Sequence, residues 1–208
     1  HLYHRYAPSE DLTVKAQVEH WGDQDFYKDF FYEQYRDRTT PRTFANITYR
    51  QPEYIATGTV RVGTHGWVHE TERLPEATFH LLERPLTQNL YFTFDTVNGF
   101  NRREPSDEDA ARSVNVARLT YDWDPFPALN VTPFAETQLA WYTDQRDEGG
   151  STGRALGTVG TTLQTRLHRE YDGFWGFSAF KHLILPSITY SYSPGSSMGV
   201  EDTPHFDA

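Results

Sequence analysis

The chain has 208 residues, 37% of them hydrophobic, and its 19 basic against 29 acidic side chains give a formal net charge of −10. That balance argues against a nucleic-acid surface, and no run approaches the roughly 18 apolar residues of a transmembrane helix. A helical membrane protein is therefore excluded, but a membrane β-barrel is not, because only alternate residues of its strands meet lipid.

In chain order, 1–7 is a possible first strand, and 12–20 alternates clearly. There Leu12, Val14, Ala16 and Val18 point one way, and Thr13, Lys15, Gln17 and Glu19 the other. Segment 22–42 breaks the pattern. Within it, Phe26, Phe30, Phe31 and Tyr35 keep a partial helical spacing over 25–36, with Asp23 or Asp25 available as a cap. Strands then recur between connections at 51–53, 64–73, 83–88, 99–112, 124–127, 143–154 and 172–176, and 194 onward reads as a loop.

The later strands alternate most plainly. In 117–124, Ala117, Leu119, Tyr121 and Trp123 oppose Arg118, Thr120, Asp122 and Asp124. In 129–141, Leu129, Val131, Pro133, Ala135, Leu139 and Trp141 oppose Asn130, Thr132, Glu136 and Gln138. In 159–170, Val159, Thr161, Leu163, Thr165 and Leu167 oppose Gly160, Thr162, Gln164, Arg166, His168 and Glu170. Successive side chains of a strand project to opposite faces, so each segment has one apolar and one wet face.

The connections run long, short, long, short along the chain, which fits an up-and-down antiparallel sheet with tight turns at one end and long loops at the other. Outer-membrane barrels have this form. Segments 128–142, 155–171 and 177–193 exceed the usual soluble strand of about 5–6 residues and suffice for the roughly 9–11 of a tilted span. Aromatic residues make up 15% of the chain. Trp21, Trp67, Tyr91, Trp123, Trp141, Tyr142, Tyr171, Phe174, Trp175, Tyr190 and Tyr192 suggest two interfacial girdles.

The expected fold is all-β: an antiparallel up-and-down transmembrane β-barrel, partial, of nine strands or ten if 1–7 is one. Residues 201–208 supply no closing strand, so 1–208 is expected to be an internal fragment whose exposed edges favour aggregation. A soluble β-sandwich binding carbohydrate is the competing fold. It requires Leu119, Tyr121, Trp123, Leu129, Val131 and Trp141 to be buried against a second sheet, whereas the barrel requires them to be exposed.

Chemical motifs are weak. His65 and His69 are four residues apart, but Gly66 and a loop setting argue against the helix that would align them on a metal. Asp23 and Asp25 begin like a calcium loop without its glycine or final glutamate. Asn46-Ile-Thr48 and Asn130-Val-Thr132 match a glycosylation sequon but fall in strands. Glu104, Asp107, Glu108 and Asp109, with Asp147 and Glu148, could contact divalent cations near phosphorylated lipid or simply solvate loops. There is no Gly-x-Ser-x-Gly and no phosphate or dinucleotide loop, so no catalytic residue, metal site or cofactor is assigned.

Four phrases suggest a family. They are Asp23-Gln-Asp25-Phe26-Tyr-Lys-Asp29-Phe30-Phe31, then Glu72-Arg-Leu-Pro75-Glu76, then His182-Leu-Ile-Leu-Pro186-Ser-Ile-Thr-Tyr190-Ser-Tyr192-Ser-Pro194, and last Thr203-Pro204-His205-Phe206-Asp207. In content and order they resemble the barrel of the lipopolysaccharide-assembly family LptD, the organic-solvent-tolerance proteins. The resemblance implies a non-enzymatic role in inserting lipopolysaccharide into the outer leaflet of a Gram-negative-type outer membrane. It also implies an LptE-like plug lipoprotein in the lumen and a periplasmic Lpt bridge reached through an amino-terminal domain. In that setting Lys15, Gln17, Glu19, Arg61, Arg118, Asp122, Glu136, Gln138, Arg166, His168 and Glu170 are the candidates for facing plug or substrate. A passive porin or a barrel enzyme is the alternative of another class.

Overall fold

The computed structural model describes residues 1–23, 25–37, 41–65, 71–103, 108–143, 151–174 and 177–194. The strands are β1 (Leu2–Tyr6), β2 (Leu12–Val18), β3 (Thr43–Arg50), β4 (Tyr54–Val62), β5 (Thr71–Pro85), β6 (Leu90–Arg103), β7 (Glu108–Tyr121), β8 (Trp123–Phe126), β9 (Leu129–Tyr142), β10 (Thr152–Thr165), β11 (Leu167–Phe174), β12 (Phe177–Ile184) and β13 (Ser187–Tyr192). Two short helices, α1 (Phe26–Phe30) and α2 (Tyr32–Asp37), follow β2. They occupy the segment where helical spacing competes with strand, and Asp29 N donates to Asp25 O at 2.8 Å at the start of α1.

The main sheet has 11 strands in the order β1-β2-β3-β4-β5-β6-β7-β9-β10-β13, with β8 paired beside β9. Every pairing is antiparallel. Chain order and sheet order agree, as an up-and-down meander requires, and residues 1–7 contribute a strand. Among the described residues the sheet does not close: β1 and β13 each keep one unpaired edge.

Several boundaries differ from the sequence reading. The connections expected at 64–73, 83–88 and 99–112 are shorter, because β5, β6 and β7 run to 15, 14 and 14 residues. Part of 124–127 is strand β8, which folds back so that Trp123 pairs with Val131 and Phe126 with Leu129. β10 with β13, then β11 with β12, pair as one long ribbon. Gln164 pairs with Ser187, and Leu167 with Ile184, three residues further on along one strand and three back along the other, so the register continues through the break. Only β10 and β13 belong to the main sheet. β11 and β12 pair with each other alone and project past the turn that begins β9. Near the ribbon tip Gly173 adopts φ 51°, a left-handed conformation that side-chain-bearing residues resist.

Among the described residues the sheet is not layered on anything. The chain exposes 14413 Å², whereas a globular monomer of its 24.1 kDa mass exposes about 10,000 Å². Among the described residues the buried apolar side chains are Trp21, Pro41, Ala110 and Ala140. Leu119, Tyr121, Trp123 and Trp141 are exposed, and Leu129 and Val131, beside β8, are half-buried. The second sheet that a sandwich needs is not found among the described residues.

Candidate binding surface on the polar face

Register divides the sheet into two faces of opposite chemistry. One row crosses Val14, Ile47 and Gly58 to Ala77 and Asn98; another joins Leu119, Ala135, Val159 and Tyr192. On the opposite face Thr13, Thr48, Thr57 and Thr78 form one row, and Arg118, Glu136 and Thr158 another. The polar face is the more enclosed one. Along β9, Glu136, Gln138 and Ala140 are less accessible than Ala135, Thr137, Leu139 and Trp141. A sheet that curls toward its polar side produces that asymmetry.

The most enclosed polar groups lie at the long-loop end. Glu19 is 0% exposed, Asn101 1%, Glu76 5% and Gln17 8%. The Glu19 carboxylate meets His1 Nδ1 at 2.5 Å and accepts from Arg42 N at 2.8 Å. Trp21 is held by His65, whose Nε2 lies 3.0 Å from Trp21 N and 3.1 Å from its carbonyl. His65 also stacks on His20, with centroids 4.9 Å apart. It therefore fastens one long connection to another, and His69 lies outside the described residues. Among the described residues no three metal-ligating side chains gather.

A charged cluster lies next to this end. Arg73 donates to Glu76 Oε1 at 2.8 Å, and Arg112 donates to Glu76 Oε2 at 3.1 Å. The register shift between Arg73 and Glu76 falls at Leu74-Pro75, so two residues an odd number apart share one face. Toward the other end His80 pairs with Asp95. Arg118 reaches Glu136 at 3.5 Å, and its Cζ sits 4.0 Å above the Phe134 ring. Thr132 donates to Asp122 at 3.4 Å and to Asn130 at 2.7 Å, so that sequon forms a strand hydrogen bond. Thr48 likewise donates to Asn46 at 3.0 Å.

Of the eleven residues expected on the wet face, Lys15, Gln17, Arg61, Arg118, Glu136 and Gln138 lie on the enclosed side of the main sheet. Glu19 and Asp122 lie just beyond strand ends. Arg166, His168 and Glu170 belong to the break and the projecting ribbon and are exposed, the last two paired only with β12. On the ribbon Glu170 pairs with Lys181 at 3.1 Å, and Arg169 stacks on Tyr171 at 4.9 Å. Arg73, Arg112, His80, Asp95 and Asn101 were not anticipated. Arg112 and Asn101 fall where a loop was expected, although alternation with Val114 and Val116 was a usable signal for Arg112.

The residues of the four phrases singled out in the sequence are scattered. Asp23 accepts from Asp25 N at 2.9 Å just before α1, which holds Phe26, Asp29 and Phe30. Pro75 sits at the register shift beside Glu76. His182 is on the ribbon, Pro186 at its break, Tyr190 and Tyr192 on β13, and Pro194 just after it. Pro204, Phe206 and Asp207 lie outside the described residues, as do Glu104, Asp107, Asp147, Glu148, Trp67 and Trp175. Asp109 pairs with Arg102 at 3.2 Å rather than standing free in a loop. The aromatic girdles are incomplete: Trp21 is buried, and Tyr190 and Tyr192 stand level with Pro133 and Ala135, in the middle of the exposed face.

This arrangement defines a single-layer antiparallel sheet with an apolar exposed face and an ion-paired, enclosed polar face. Compared with known proteins, the chain matches no family model and no curated protein.

Proposed function

We propose that this chain is part of the wall of a large outer-membrane β-barrel of the lipopolysaccharide-assembly type. Its apolar face meets lipid, and its polar face lines a wet lumen. The observation that supports this reading is the inversion of burial: Glu19 and Asn101 are inaccessible, while Ile188 and Tyr190 are 67% and 71% exposed. In water such a surface is costly, at roughly 25 cal/mol for each Å² of apolar area. In a bilayer the cost disappears. The ordered family phrases add the substrate: lipopolysaccharide, with an LptE-like plug against the polar face and a periplasmic bridge delivering the cargo. No bond changes in that task, which needs a surface for sugar and phosphate rather than a nucleophile.

The test uses the full-length parent protein in membranes, with photoreactive probes at Leu119, Val131 and Leu163 on one face and Thr120, Thr132 and Gln164 on the other. The first set is expected to crosslink to lipid, and the second to lumen partners or water-soluble reagents. Protection of both sets from lipid would refute the barrel. Unchanged plug retention and unchanged lipopolysaccharide delivery after substitution of Arg118 and Glu136 would refute the assembly role.

A further inference from the structure

The exposed face carries a groove of 430 Å³. Its floor is made of small residues, Ala56, Gly58 and Ala77, on two adjacent strands. Ile47 and Tyr49 of β3 wall one side, and Thr96 and Asn98 of β6 the other, with Phe79 closing part of one end. The floor is low because of composition: a Cβ added at Gly58 would stand 3.1 Å from Ile47 Cγ2.

One wall is polar, on a face that is otherwise mainly apolar in this stretch and carries the Arg102–Asp109 ion pair nearer the long-loop end. Asn98 Nδ2 donates to Thr96 Oγ1 at 2.8 Å, and beside it Asn115 Nδ2 donates to Ser113 Oγ at 3.0 Å. Among the described residues no hydrogen bond to the Oδ1 atom of either asparagine accompanies these. In hydrocarbon such a group finds no water, and an unmet amide costs several kcal/mol. An amide also offers both a donor and an acceptor, so it matches another amide or a hydroxyl.

We propose that this groove binds one acyl chain of an amphiphile that carries an amide or hydroxyl near its head, with the chain over Gly58 and Ala77 and the polar group at Asn98. The volume lies in the range of about 300–1,000 Å³ typical of small-molecule sites. A docked protein would need roughly 800 Å² on each partner, far more than this notch supplies. The inference rests on the membrane reading above, and it adds a discrete lipid site to it.

The experiment uses the full-length protein in lipid nanodiscs. It compares an N-acyl sphingosine probe with a diacyl ester phospholipid probe, each bearing a diazirine in one chain, with labelled residues mapped by mass spectrometry. The N-acyl probe is expected to label the groove about five-fold more than Leu163, a preference worth about 1 kcal/mol. Ala77→Leu, which fills the floor, is expected to bring groove labelling down to the Leu163 level while Leu163 itself stays labelled. Asn98→Leu is expected to remove the preference for the N-acyl over the ester probe. Equal labelling of groove and Leu163, or an unchanged groove signal in Ala77→Leu, overturns the site and leaves the membrane reading standing. Absence of label from Leu163 and groove alike overturns both.

Discussion

Glu76 of β5 and Arg112 of β7 meet at 3.1 Å across the strand that separates them. The residue between them on β6 is Gly99, which pairs with Glu76 on one side and Arg112 on the other. With no side chain there, the two long side chains close over β6 directly. A Cβ at Gly99 would stand 3.1 Å from Pro75 O and 3.2 Å from Glu76 Cα, so the backbone also approaches closely at this point. Arg73 completes the cluster from the other side of the carboxylate.

Removing the carboxylate takes one charged contact away from a largely enclosed guanidinium. The Arg112 side chain is 12% exposed and Glu76 5%. Glu76→Ala is expected to cost about 3 kcal/mol, the lower end of the range for breaking a buried pair. Arg73→Ala is expected to cost less than about 1 kcal/mol, because Arg73 is 39% exposed and solvent screens its contact. Urea unfolding of the full-length protein in lipid, followed by the heat-dependent shift in gel mobility, ranks the two. Equal costs would contradict the bridging role of Glu76.

Gly99→Ala tests the gap itself. The added methyl group must displace backbone atoms of β5, so a loss of about 1–3 kcal/mol is expected from overpacking. It also pushes Glu76 away from Arg112. The double variant Gly99→Ala, Glu76→Ala is therefore expected to lose less than the sum of the two single losses. A double-mutant cycle measures the difference, and strict additivity would show that Gly99 acts independently of the ion pair.

How legible this was in the sequence depended on how strictly each strand alternates. β9 and β10 follow a clean two-residue period with few charges on the apolar face, and their pairing from Thr152–Tyr142 to Thr165–Leu129 matches the faces read from sequence. The region around 99–112 reads as a loop because Asn98, Gly99, Asn101, Arg102 and Arg103 are poor strand formers. Yet Asn101 pairs with Ala110, and Arg102 with Asp109, since the ladder continues as long as its neighbours do. Pro125 and Pro127 hid β8 in the same way. Arg73 and Glu76 share a face only because of the irregularity at Leu74-Pro75, which no period of two can anticipate. The face assigned to Arg118 and Glu136 was readable; the cluster around Glu76 was not.

Gly160 is a second close approach, on the polar face of β10. An added Cβ would lie 2.5 Å from Phe134 Cζ and 2.6 Å from Tyr190 O. The Phe134 ring lies over this glycine and supports Arg118 on its own face. Gly160→Ala must move either the ring or the β13 backbone. A loss of about 1–3 kcal/mol is expected, with loosened pairing between β10 and β13. Amide hydrogen exchange reports this as faster exchange at Thr162 and Thr189, whose hydroxyls meet at 2.9 Å. Unchanged protection there would show that the ring alone absorbs the methyl group.

Neighbouring residues of β10 separate a lipid wall from a soluble sheet. Val159 is exposed on the apolar face, and Thr158 lies on the polar face, paired with Glu136. On a lipid-facing surface an arginine near the bilayer midplane costs about 2–4 kcal/mol. Val159→Arg is therefore expected to lower the stability of the full-length protein in vesicles by that amount. Thr158→Arg places the same charge beside Glu136 and Arg118, in an already ionic row, and is expected to cost less than about 1 kcal/mol. Reversible urea titration in phosphatidylcholine vesicles measures both. On a soluble sheet the exposed Val159 position would accept arginine at no cost, and the more enclosed Thr158 position would be the harder one to charge. The sign of the difference between the two variants thus identifies which face meets lipid.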